Sequence, residues 1–134
     1  MKHICSLLVI VIGALACNAY VHAEWEFVNG NNKFKYYYDS ATIHKIENIV
    51  KVWALYDHTQ LFTSHNVKPH MSMMVLGEFD CKKKIHRTLY ASTHSKKMGG
   101  GEMIEKDGSH ELTRKWHSVP PASLFYTLMS VACK

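Results

Sequence analysis

The sequence predicts an α+β domain: a single antiparallel β-sheet of about six strands, with one C-terminal α-helix packed on one face and tied to it by a disulfide. Three observations predict it. Between Trp25 and Lys106, short runs alternate apolar and polar residues and are punctuated by turn clusters, the pattern of strands in a sheet. Between Ala122 and Ala132 the period changes, and Leu124, Leu128 and Val131 recur at helical spacing, with Phe125, Met129 and Ala132 widening the stripe. Two cysteines, Cys81 and Cys133, remain once an N-terminal leader is set aside.

The leader is read at residues 1–23. Lys2 gives it a positive start, Leu7 to Ala16 is an apolar run too short to be a retained span, and Val21-His22-Ala23 suits a signal peptidase. Cleavage is expected after Ala23, leaving residues 24–134 as one domain. The alternative is a lipid anchor on Cys17, but Ala14-Leu15-Ala16-Cys17 puts the leucine one place too close to the cysteine. Export to the periplasm or outer cell surface, unanchored, is the expectation. No second apolar run is long enough to span a bilayer, so no transmembrane segment is expected in the mature chain. Cys5 and Cys17 leave with the leader, and a pair of cysteines in an exported protein is most simply a disulfide; two unrelated buried thiols are the alternative.

In order, Glu24 to Val28 alternates and Asn29-Gly30-Asn31-Asn32 turns the chain. Lys33 to Tyr38 alternates again, with Phe34, Tyr36 and Tyr38 on one face. A short extended piece surrounds Ile43. Ile49 to His58 is the longest strand, with Val50, Val52, Ala54 and Tyr56 on one face and Trp53 and Leu55 on the other. Apolar residues on both faces place it mid-sheet, under the helix on one side and a second cover on the other, for which another protomer (a homodimer) is a candidate. Thr59 to Pro69 reads as a polar loop. Met71 to Asp80 follows, with Met71, Met73, Val75, Phe79 and Cys81 sharing a face, so that Cys81 points where the helix lies. Next, Ile85, Leu89 and Ala91 alternate with His86, Thr88, Tyr90 and Ser92. Gly99-Gly100-Gly101 is a turn or bulge, Glu102 to Lys106 a last short strand, and Asp107-Gly108-Ser109 a turn. Pro121 suits the first helical position, where its missing N–H is not needed.

Candidate chemistry is sparse. Of ten histidines, His3 and His22 belong to the leader, and the other eight show no convergent metal-ligand spacing beyond His65-x₄-His70 and His110-x₆-His117; they read as solvated. No nucleophile elbow is present, and Asp39, Asp57, Glu78 and Asp80 read as structural carboxylates at strand ends. The triple glycine is followed by Glu102-Met103 rather than the Lys-Ser/Thr of a phosphate loop. No enzyme activity and no cofactor are expected. The net charge is +5, or about +4 without Lys2, which favours acidic partners. Lys82, Lys83, Lys84 and Arg87, with Lys96 and Lys97, form basic runs, and Tyr37 lies in an aromatic run that could serve beside them. These are the candidate partner-binding residues, for an acidic protein or glycan and not for nucleic acid.

Taken together, the residues resemble the surface-adhesin protein E family. The resemblance rests on Trp25-x-x-Val28, Tyr36-Tyr37-Tyr38-Asp39, Val52-Trp53-Ala54-Leu55-Tyr56 and Glu78-Phe79-Asp80-Cys81-Lys82. It continues through Ile85-His86-Arg87, Met98-Gly99-Gly100-Gly101-Glu102, Trp116-His117-Ser118-Val119-Pro120-Pro121-Ala122-Ser123 and Val131-Ala132-Cys133. It implies a small antiparallel sheet with a C-terminal helix secured by a disulfide between Cys81 and Cys133. It also implies a bacterial envelope binding protein that contacts host extracellular-matrix or plasma proteins such as laminin, vitronectin and plasminogen, or another acidic envelope partner. The alternative is a periplasmic binder of haem or a metal, drawing on the histidines and the tyrosine-rich strand.

Overall fold

The computed structural model describes residues 23–107 and 114–134. All of the leader but Ala23, the alternative anchor at Cys17, His110 and most of the turn expected at Asp107-Gly108-Ser109 lie outside the described residues. Among the described residues, eight strands form one antiparallel sheet. They are β1 (Trp25–Gly30), β2 (Phe34–Asp39), β3 (His44–Ile46), β4 (Ile49–Ser64), β5 (Val67–Asp80), β6 (Ile85–His94), β7 (Met103–Asp107) and β8 (His117–Ser118). The path runs β1-β2-β4-β5-β6-β7, with β3 pairing to β4 beyond the end of β2 and β8 pairing to the start of β6. Six strands therefore carry the sheet, and the two short ones extend its edges.

The helix α1 (Leu124–Ala132) closes one face. Leu128, Met129 and Ala132 are buried on it, against Tyr36, Val50, Val52, Ala54 and Phe79 of the sheet and Val119 of the approach segment. Each large side chain removed from water there contributes roughly 1.5–3 kcal/mol. The expected stripe is thus the packed one. Cys81, just past β5, is bonded to Cys133, just past α1, with Cα atoms 5.8 Å apart and a sequence separation of 52.

The helix starts differently from expectation. Ser123, rather than Pro121, sets its first turn: the Ser123 Oγ accepts from Tyr126 N–H at 3.1 Å. Pro120-Pro121-Ala122 form a turn before it, with Ser123 N–H donating to the Pro120 carbonyl and Ala122 at φ 60°. A hydroxyl that satisfies an orphan N–H outweighs the neutral fit of a proline at that position.

Thr59 to Pro69 is not a loop. β4 and β5 continue through it as a long hairpin, pairing Phe62 with His70 and Ser64 with Val67 across irregular register. Most of this arm is exposed, so its polar composition mimics a loop although its backbone keeps the ladder.

The alternation expected in β6 is broken by a bulge. Leu76 pairs with Tyr90 and Gly77 with Thr88, leaving Leu89 as the extra residue. The bulge reverses the faces, so that Tyr90 and Ser92 turn away from His86 and Thr88. Nor are all the carboxylates at strand ends: Asp57 and Glu78 are buried inside β4 and β5. The second cover over Leu55 comes at least in part from the chain itself, for residues 95–101 between β6 and β7 fold back over β4 and β5.

Candidate binding surface

The face opposite α1 is laid out by register. One row runs Phe27, Tyr37, Leu55, Met74, Ser92, Lys106 across the strands from β1 to β7. On one side of it lie Trp53, Leu76 and Tyr90, then Lys51, Glu78 and Arg87. On its other side lie Lys35, Asp57, Ser72, His94 and Met103. Apolar side chains thus occupy the middle of this open face, and cations stand along its margins.

The loop that crosses the face is held by side chains from the sheet. Asp57 accepts from Met98 N–H at 2.7 Å. The Ser72 hydroxyl donates to the Lys96 carbonyl at 2.6 Å and accepts from Gly99 N–H at 2.9 Å. A Lys97–Gly99 3₁₀ turn results, with positive φ at Met98, Gly99 and Gly101. A Cβ on Gly99 would come within 2.8 Å of the Met74 sulfur, so glycine permits the close approach. The triple glycine is a turn, as expected, and its use is to bring the backbone down onto the sheet.

Beside this loop an apolar groove of about 480 Å³ remains, lined by Trp53, Met74, Leu76, Tyr90, Ser92, His94 and Met103. Trp53 and Tyr90 meet edge to face at 5.8 Å, and Met103 is 52 % exposed at the lip. The groove has a polar floor: Ser92 Oγ lies 2.9 Å from His94 Nε2, both residues buried. Burial holds the His94 imidazole below the usual histidine range, so it is neutral near pH 7. At the end of the groove nearest Trp53, Arg87 gives two hydrogen bonds, 3.0 and 2.7 Å, to one oxygen of buried Glu78, and Lys51 lies 3.8 Å from the other. Trp116 stacks under the Arg87 guanidinium at 4.5 Å.

The structure does not gather the sequence-predicted basic residues into one patch. Lys82, Lys83 and Lys84 are exposed in the β5–β6 turn, where Asp80 accepts from Lys82 and Lys83 N–H groups. Lys96 and Lys97 are exposed past the other end of β6, about 30 Å away at 3.3 Å per strand residue. Arg87 is half-buried in its ion pair, and Tyr37 lies on the open face against Phe27 at 5.8 Å. Sequence reasoning missed the groove itself. Met74, Leu76 and Tyr90 could have been placed together only by knowing the Leu89 bulge, and Lys106 was not singled out.

The histidines are also less solvated than expected. His58 and His70 are buried with their rings 5.3 Å apart, under Phe62 of the arm. His86 stacks on Phe125 of α1 at 4.1 Å. Desolvation lowers the pKa of His58 and of His86, assisted by His70 and His117 respectively. Among the described residues, no three His, Cys, Asp or Glu side chains converge as metal ligands.

Comparison with known proteins fits this architecture. The family described as Surface-adhesin protein E matches residues 25–134. The chain belongs to the surface-adhesin protein E family. Membership implies an envelope or surface location, and among the described residues no helix is long and apolar enough to cross a membrane. Solved structures of Haemophilus influenzae protein E share the adhesin E fold. Crystal form II aligns at TM-score 0.56 and 15 % identity, covering 79 % of this chain and 91 % of that one. Protein E from a non-typeable strain aligns at TM-score 0.56 and 17 % identity, covering 89 % of this chain and 81 % of that one. At such identity the likeness is one of fold. No curated protein matches the chain significantly.

Proposed function

We propose that this chain is an exported, non-enzymatic envelope protein that holds an acidic protein or glycan partner, with host matrix and plasma proteins as the candidate partners. The observation that carries this reading is the asymmetry of the sheet. One face is closed by the chain's own helix, while the other keeps an apolar groove between Lys51, Arg87 and Lys106. Lys96 and Lys97 border the same face from the loop above it. Lys82, Lys83 and Lys84 project from the far turn and serve to steer an acidic partner inward. Tyr37 extends the apolar row toward β1.

The test is direct binding of the mature chain to immobilised laminin, vitronectin, plasminogen and heparan sulfate. At least one is expected to bind, and its affinity to fall about tenfold or more as salt rises from roughly 0.05 to 0.5 M, because exposed charges are screened. Absence of binding to all four at low salt, or binding indifferent to salt, would contradict the proposal.

A further inference from the structure

We propose that the groove lined by Trp53, Met74, Leu76, Tyr90 and Met103 is an anchor site for one large apolar side chain of a partner segment whose flanking residues are acidic. The proposal deepens the function given above and rests on its claim that the open face is the binding face. A volume of about 480 Å³ is that of a site that takes one bulky side chain or a small ligand. Its walls are carbon and sulfur apart from the Tyr90 hydroxyl, which donates to the Met103 sulfur at 3.9 Å, and the Ser92–His94 pair, whose Oγ and Nε2 meet each other and whose imidazole is neutral near pH 7. The groove thus rewards removal of apolar surface from water and offers little to a charged group inside it.

The charge around the groove selects the neighbours of that side chain. Lys51 and Arg87 stand at one end, Lys106 at the β7 margin, and Lys96 and Lys97 on the overlying loop. Against them stand Glu78, buried and bonded to Arg87 and Lys51, Asp57, buried and bonded to Met98 N–H, and Glu102, exposed beside Met103. Five cations thus stand against three carboxylates, and the surplus suits an acidic strand or loop laid across the face. Met and Tyr walls adapt to Leu, Phe or Trp alike, so the anchor is chosen by size and apolarity.

The experiment uses the whole mature chain with its methionine methyl groups labelled for NMR. Met74 and Met103 report the groove, and Met129, under the helix, is the internal control. The probes are short synthetic peptides in which glutamates flank a central Phe, Leu or Ala, plus a Phe peptide flanked by lysines. The Phe and Leu peptides with glutamate flanks are expected to shift Met74 and Met103 and leave Met129 in place. The Ala and lysine-flanked peptides are expected to shift neither. Met103→Asp, at an exposed lip position, should weaken binding of the Phe peptide about tenfold to a hundredfold, the range set by losing one anchored side chain. Lys106→Glu should weaken it without touching the apolar walls and provides the readout if Met103→Asp does not fold. Unshifted Met74 and Met103 at millimolar glutamate-flanked Phe peptide would overturn the proposal, as would equal binding of the lysine-flanked probe. Shifts that depend on protein concentration without peptide would assign the groove to a second copy of the chain and overturn it equally. Host-protein binding with silent groove methyls would sink this site alone, leaving the function proposed above intact.

Discussion

Replacing Gly101 with alanine would add a Cβ directed into the Ser95 hydroxyl at a residue with φ 73°, a backbone conformation that costs an L-residue about 1–2 kcal/mol by itself. The variant should be less stable by about 2 kcal/mol or more in urea unfolding, and an unchanged midpoint would show that the loop over the open face is not held as described. Glu78→Gln tests the ion pair beside the groove. Losing one partner of a buried pair costs about 3–5 kcal/mol, but Arg87 keeps 31 % of its side chain in water, so the expected loss is smaller, about 1–3 kcal/mol. These two sites differ in how visible they were. Glycine followed by glycine announces a turn from sequence alone. The partner of Arg87 sits nine residues earlier on a neighbouring strand, and no local pattern points to it.

At the scale of elements, α1 was legible because a helix docked on a sheet writes its contact in its own spacing, and Leu128, Met129 and Ala132 are the buried residues. Its start is set by one hydroxyl, so Ser123→Ala should cost about 1 kcal/mol, read as a lower thermal midpoint. The tether to β5 weighs more. Closing a loop of 52 residues stabilises by about 4 kcal/mol in the chain-entropy account, so verified reduction of Cys81–Cys133 should lower the midpoint by on the order of 15 °C or more. An unchanged midpoint would remove the tether as a stabilising element. Two features were not legible. The β4–β5 arm is exposed along much of its length and so lacks the alternation that marks a strand, although its ladder persists to Ser64 and Val67. The Leu89 bulge moves Tyr90 and Ser92 to the open face, because one inserted residue reverses a period of two. The groove is composed largely across that bulge, which is why the fold could be read from the sequence and this surface could not.

For the molecule as a whole, three histidines couple stability to pH. His58, His86 and His94 hold their protons more weakly folded than unfolded, chiefly through desolvation. The unfolded chain therefore binds more protons below its histidine pKa of about 6.5. Their contribution is complete above that pH and is lost as pH falls through their lower folded values. Thermal midpoints should decline from pH 7.5 toward pH 5, and a flat profile would show that these rings are not desolvated. The two faces of the sheet differ: one is closed by the chain's own helix, and the other, which keeps the apolar groove, is the one proposed to meet a partner. The measurement that tests this division most directly compares three proteins in binding to a captured matrix protein: the unaltered chain, Met103→Asp, and a chain with Lys82, Lys83 and Lys84 changed to alanine. Binding through the open face predicts that Met103→Asp loses about tenfold or more in affinity with its thermal midpoint preserved. The triple alanine variant should chiefly slow association. Undiminished binding by Met103→Asp together with loss of binding in the triple variant would place the partner on the β5–β6 turn and contradict the account.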